Sequence, residues 1–159
     1  MARVRTSRLK KGAAITGLAV ALVGGFEGLR TSAYLDPVGI PTICFGETKN
    51  VRLGMKMTRA ECGDLLVASL KRHEYGMRQC LRRPDDLSDK TYAAFLSFTY
   101  NVGVGAFCRS TLARKANAGD LRGACNELPK WVRAGGIKLR GLVNRRADER
   151  RLCLEGLAG

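Results

Sequence analysis

The sequence predicts a single α+β domain in which helix dominates, and three observations carry that expectation. The chain has 159 residues, a length at which one domain is the default, and 45% apolar residues beside 26% charged ones can fill a real core. Apolar residues recur at helical spacing in several capped segments. Only one short stretch carries the turn residues and β-branched patches of a hairpin, and no repeat or low-complexity linker divides the chain.

The first eleven residues carry Arg3, Arg5, Arg8, Lys10 and Lys11 without one acid, and Gly12 to Phe26 follow with no charge. A basic run before an apolar one reads as an export address with the N-terminus inside. Fifteen residues at 1.5 Å each reach roughly 22 Å, short of a hydrocarbon layer of about 30 Å, so membrane residence is marginal. Ala19-Val20-Ala21 offers a small-residue processing site. Ile15, Leu18, Leu22 and Leu29 nevertheless share a helical period that runs past Glu27, so cutting at Ala21 would remove most of a helix; an uncleaved segment is expected. Everything after Glu27 is then expected in the periplasm.

Asp36 to Glu47 has Pro and Gly between short β-branched and aromatic patches, which predicts a small antiparallel hairpin too short to hold its own core. Thr58-Arg-Ala-Glu61 is a capping box, and Leu65, Leu66, Ala68 and Leu70 follow, which predicts a helix over 59–80. Ser88 or Asp89 can cap the next helix, whose Tyr92, Phe95, Leu96 and Thr99 share a face, and the glycines of Asn101-Val-Gly-Val-Gly105 end it. Shorter helices are expected over 107–117, 120–134 and 144–156, with Pro129 beginning, kinking or breaking one of them.

Composition excludes several classes of function. The six cysteines form no C-x-x-C pair and His73 is the one histidine, so a zinc finger is nearly excluded, and neither metal nor cofactor is expected. His73 sits in the charged run Lys71-Arg72-His73-Glu74, which reads as a solvated helix face rather than a nucleophile's partner. Cys44, Cys62, Cys80, Cys108, Cys125 and Cys153 suit an oxidising compartment as disulfides. Pairing each with its neighbour gives three loops worth about 3 kcal/mol or more apiece, but the sequence alone leaves every other pairing open. The formal charge is +14, yet the basic stretches carry no helix-turn-helix, zinc or RNA-binding motif, so no nucleic-acid partner is expected. Residues 129–151 alone hold eight cations against Asp148 and Glu149, either a solvated basic face attracted to an anionic cell surface or, at Arg145 and Arg146, framework for a buried carboxylate.

Two carboxylates stand in contrasting settings. Glu27 ends the apolar stretch, where desolvation favours the protonated form and suits a general acid. Asp36, nine residues on in a wetter turn, suits the ionised partner, and Thr42, six further, can hold a water. The blander readings are an arginine-paired Glu27, a turn-capping Asp36 and an ordinary strand threonine.

These residues, with Glu27-Gly-Leu-Arg, Tyr34-Leu-Asp-Pro-Val-Gly-Ile-Pro-Thr-Ile, Phe98-Thr-Tyr-Asn-Val-Gly, Ser110-Thr-Leu, Trp131-Val-Arg-Ala-Gly-Gly, Gly141-Leu, Arg145-Arg146 and Glu149-Arg150, resemble the phage lysozymes of glycoside hydrolase family 24 over residues 24–156. The resemblance implies a lysozyme-like two-lobed fold, with a small β-hairpin lobe, a long connecting helix and a helical lobe. It implies hydrolysis of the β-1,4 bond between N-acetylmuramic acid and N-acetylglucosamine in peptidoglycan, with Glu27 as acid, Asp36 activating water or stabilising the transition state, and Thr42 positioning water. Asn101 matches an amide-bearing position beside the cleft and is a candidate sugar ligand.

Two departures stand out. Where many members have a histidine, this chain reads Cys44-Phe-Gly-Glu47-Thr48, and Glu47 is kept outside the expected catalytic set. The basic and weakly apolar N-terminus resembles that of signal-anchor-release endolysins. That subclass implies residues 1–26 as an uncleaved anchor in the host inner membrane and 27–159 as the catalytic domain, with 13–26 joining its first helix after release into the periplasm. A monomer acting on peptidoglycan is expected, the alternative being a cationic membrane-disrupting protein without glycosidase activity.

Overall fold

The computed structural model describes residues 7–10 and 12–158. Arg3, Arg5 and Lys11 of the expected basic leader lie outside them. Among the described residues the chain forms seven α-helices, with one small hairpin after the first and another before the last.

Helix α1 spans Ala13–Glu27. Its inward face is Ile15, Ala19 and Val23, spaced by four, whereas Ala14, Gly17, Ala21 and Gly25 face outward. Leu29 lies beyond the helix, contrary to the expected period. Gly28 at φ 71° stops the helix, its N–H bonding back to the Gly24 carbonyl at 3.2 Å. No described helix is long and apolar enough to cross a membrane.

The chain leaves α1 directly into β1, Arg30–Leu35, which pairs antiparallel with β2, Pro41–Cys44. Tyr34 faces Thr42 and Leu35 faces Pro41, with an irregularity before Arg30 meets Cys44. The extended region therefore starts at Arg30 rather than Asp36, because strand limits are set by the partner strand and not by local turn residues. Ile43, Cys44 and Cys62 form the buried centre of this lobe, with Leu29, Met55, Met57 and Leu65 around it.

Helix α2, Arg59–Cys80, follows the expected limits. Thr58 Oγ1 accepts the Glu61 N–H at 3.1 Å, and 22 residues at 1.5 Å span about 33 Å, enough to join both lobes. Helix α3, Asp89–Val102, is capped by Ser88 and is buried without interruption from Thr91 to Thr99. It is the axis of the large lobe, with α1, α2 and α7, Arg140–Ala158, packed around it. Phe98 stands edge-on to Phe107 and to Trp131, with ring centroids 6.3 and 5.2 Å away.

The helix expected over 107–117 is two: α4, Val104–Arg109, and α5, Thr111–Asn117, divided by Ser110, which caps α5 through the Ala113 N–H. The helix expected over 120–134 stops early. Helix α6 covers Leu121–Glu127, Pro129 lies in a single 3-10 turn, and Arg133–Ala134 (β3) pairs with Ile137–Lys138 (β4) across Gly135 and Gly136 at φ 57° and 80°. Helix α7 begins at Arg140, ahead of the expected 144.

Disulfides join Cys44 to Cys62, Cys80 to Cys108 and Cys125 to Cys153, tying β2 to α2, α2 to α4 and α6 to α7. Residues 7–9 are equally engaged. The wholly buried carboxylate of Glu74 on α2 accepts the Arg8 N–H at 2.7 Å, the Leu9 N–H at 3.3 Å, and the hydroxyls of Ser7 and Tyr92 at 2.5 Å each.

Candidate active site

The last residue of α1 places Glu27 at the mouth between the lobes, with a quarter of its side chain exposed. Arg145 on α7 is buried and grips Oε1 at 2.6 Å. The same guanidinium reaches the Ser97 carbonyl at 3.4 Å and lies 4.8 Å from the Phe26 ring centre, so its position is set by α3 and α1 together. The other oxygen, Oε2, faces Gly46, where a Cβ would come within 3.7 Å of it.

A cavity of about 400 Å³ opens from Glu27. Gly46, Glu47 and Lys49 line it from the hairpin lobe, Ser69, Arg72 and His73 from α2, and Tyr100 and Asn101 from α3. His73 is thus a cleft residue rather than a solvated one: its ring centre lies 4.9 Å from that of Tyr100, and its Nδ1 is 2.7 Å from the Ser69 carbonyl. The long helix passes under both lobes, so a run of charges that looks solvent-facing in sequence turns one side into the gap. Burial, with Glu27 and Glu47 nearby, pushes the Tyr100 hydroxyl up to about 12.

Asp36 stands in the turn after β1. Its Oδ1 accepts the N–H groups of Val38 at 2.9 Å and Ile40 at 2.8 Å, leaving Oδ2 uncommitted. Thr42 is buried opposite Tyr34, and its hydroxyl donates to the Ile40 carbonyl at 2.9 Å. A hydroxyl with its proton committed can still accept from a water. Neither residue lines the cavity that Glu27 and Asn101 share.

The Asn101 amide oxygen accepts from Arg146 Nη2 at 2.6 Å, so the side chain is oriented with its amide nitrogen spare. Arg146 and Glu149 form an ion pair at 2.8 Å in which both side chains are wholly buried. Burial outweighs their mutual attraction: it pushes the Glu149 carboxyl up to about 7 and brings the Arg146 guanidinium down to about 10. Two cations of the basic stretch, Arg145 and Arg146, are therefore framework, whereas residues 133–140 are exposed throughout. The sequence marks Arg145 only as one framework candidate of two, and its pairing to Glu27 across a separation of 118 residues carries no local signal.

A family model described as phage lysozyme matches residues 24–149. The SAR-endolysin of Bacteriophage PS119 is 41% identical over 91% of this chain and 92% of its own. That of Enterobacteria phage PA-2 is 40% identical over 91% and 90%. Among solved structures, the active form of the P1 phage endolysin Lyz superposes with a TM-score of 0.81 at 28% identity, covering 91% of each chain.

Proposed function

Because the chain belongs to the phage lysozyme family, we propose that Glu27 and Asp36 divide the acid and base work of its reaction. The protein is a peptidoglycan-hydrolysing endolysin, a muramidase. In our reading Glu27 gives its proton from Oε2 to the glycosidic oxygen as the bond to the muramic C1 breaks, and Arg145 at Oε1 stabilises the carboxylate left behind. Asp36 Oδ2 takes a proton from the water that attacks C1, and the Thr42 hydroxyl oxygen accepts that water's other hydrogen. Each carboxylate keeps one oxygen anchored and one available, the division of labour this chemistry needs. The Asn101 amide nitrogen donates to the bound sugar.

We further read the N-terminal segment as an uncleaved anchor that holds the enzyme in the inner membrane, facing the periplasm, until it leaves the bilayer. The SAR-endolysin relatives support this reading, as does the way residues 7–9 and α1 are built into the large lobe. Processing near Ala21 would delete Ile15 and Ala19 from the core together with every donor that Ser7, Arg8 and Leu9 offer Glu74.

The observation that carries the catalytic reading is Glu27, clasped by a buried arginine at the edge of a polar cavity. It is tested by turbidity loss of Gram-negative peptidoglycan with mass spectrometry of the products. Wild type should create new reducing N-acetylmuramic ends and Glu27→Gln none. Asp36→Asn keeps an Oδ1 acceptor for both turn amides while losing the base, so it should fold normally and cleave at least about 100-fold more slowly. Equal lysis by wild type and Glu27→Gln would turn attention to the cationic surface instead.

A further inference from the structure

Glu47 stands at the cavity wall with no role in the reaction described above. Its backbone is clamped: its N–H donates to the Ile43 carbonyl and its carbonyl accepts from the Ile43 N–H, both at 2.9 Å. The disulfide of Cys44 to Cys62 holds the start of the same turn to α2. The side chain therefore leaves a rigid platform into the space that Glu27 borders. One of its carboxylate oxygens, Oε1, is buried and has no hydrogen-bond partner. Arg72 and His73 face it from α2 and lower its proton affinity, but among the described residues neither forms an ion pair or hydrogen bond with it, and burial wins, raising its carboxyl above the usual range. Two neighbouring polar groups at the wall are engaged elsewhere, His73 Nδ1 with the Ser69 carbonyl and the Tyr100 hydroxyl with the Phe45 carbonyl at 3.4 Å.

A desolvated acceptor without a donor is unfavourable. Only one of the two carboxylate oxygens is closed off in this way, and Glu47 lines the cavity, so the carboxylate can still meet a donor that a ligand brings to the wall. Peptidoglycan sugars carry two suitable donors, the acetamido N–H and ring hydroxyls. We propose that Glu47 is a substrate-binding residue, its carboxylate accepting a hydrogen bond from the acetamido N–H or a hydroxyl of an N-acetylated sugar beside the bond that Glu27 cleaves. This rests on the muramidase reading. It gives the hairpin lobe a direct grip on the glycan through Glu47, opposite the grip of Asn101 from the helical lobe.

The test separates the two readings. Calorimetric binding of a soluble glycan tetrasaccharide, two N-acetylglucosaminyl-N-acetylmuramyl repeats, is measured on the non-cleaving Glu27→Gln protein with and without Glu47→Ala or Glu47→Gln. Glu47→Ala should weaken Kd about tenfold and Glu47→Gln, which keeps one acceptor oxygen, less. In the active enzyme the same changes should raise KM with kcat altered by no more than about threefold. Melting temperatures should hold or rise, since a desolvated carboxylate is removed. An unchanged Kd for Glu47→Ala overturns the proposal, as does a Kd loss that tracks a fall in melting temperature in both variants, which would make Glu47 a strut between the lobes. Tight binding by the Glu27→Gln protein with no cleavage by wild type would instead remove the muramidase reading and leave the Glu47 comparison readable.

Discussion

Arg8 Nη2 stands 2.6 Å from Asp89 Oδ1, which ties a residue ahead of the apolar segment to the first turn of α3. The same guanidinium donates to the Leu87 carbonyl at 2.7 Å and the Pro84 carbonyl at 3.1 Å, and its Cζ lies 4.4 Å from the Tyr92 ring centre. Beneath it Glu74 accepts from three successive residues, Ser7, Arg8 and Leu9. The segment before α1 thus closes over a buried carboxylate. Glu74→Ala should cost about 3 kcal/mol and lower the melting temperature by about 10 °C, because the docked amides and the Tyr92 hydroxyl lose their acceptor. Asp89→Ala, which removes only a half-exposed partner, should cost below about 1 kcal/mol. Thermal unfolding of both variants checks the difference.

Arg145 acts on Glu27 through a single short contact to Oε1. Arg145→Ala should lower kcat about 100-fold with a smaller change in KM, since the stabilised species is the carboxylate formed as the proton leaves. Arg145→Lys should recover little, because an ammonium cannot reach Glu27 and the Ser97 carbonyl together. Steady-state kinetics on a soluble glycan substrate would decide this.

Glu149 makes stability depend on pH in an unusual direction. Its carboxyl is raised from 4.5 to about 7, so between those values the folded chain holds a proton the unfolded chain has released. Stability therefore falls as pH rises through that window, by up to about 3 kcal/mol, and levels off above it. Glu47 adds a slope of the same sign. Melting curves at pH 5 and pH 8 should show the fall, and Glu149→Gln should remove most of the slope.

The disulfide of Cys44 to Cys62 spans the hairpin lobe and α2, whereas Cys125 to Cys153 lies within the helical lobe. Replacing either pair by serine should cost about 3 kcal/mol by loop-closure entropy. The first should also reduce activity at temperatures where the protein remains folded, since it anchors the turn that carries Gly46 and Glu47 beside Glu27. Activity compared with circular dichroism at a fixed temperature separates the two effects.

The anchor reading predicts that added apolarity on α1 delays release. Ala14, Gly17 and Ala21 face outward in α1, and no atom lies within 4 Å of a Cβ built at Gly17. Changing all three to Leu should leave the folded enzyme intact yet hold the protein in the membrane fraction and delay lysis. Fractionation of expressing cells by immunoblot tests this, and equal release would count against the anchor.

Much of the architecture was legible wherever a local signal coincided with a boundary. Thr58 and Ser88 cap α2 and α3 through their own side chains, so those limits stand in the sequence. The glycine pair at 135 and 136 is an equally local hairpin signal, standing just past the helix expected over 120–134. The site was legible as a set of residue types, but the partners of those residues were not. That Arg145 reaches Glu27, that Arg146 orients Asn101, and that His73 turns into the cleft all depend on helices distant in sequence. The start of strand β1 has no local signal for the same reason, its extent being set by pairing with β2.

Helix α1 has two faces with different constituencies. Ile15, Ala19 and Val23 answer to the protein core, while positions 14, 17, 21 and 25 are exposed and hold only alanine and glycine. In the anchor reading those four positions set how long the chain stays in lipid. A phage could then lengthen or shorten its infection cycle by single substitutions there, retuning the moment its host bursts without altering the turnover of the enzyme that bursts it.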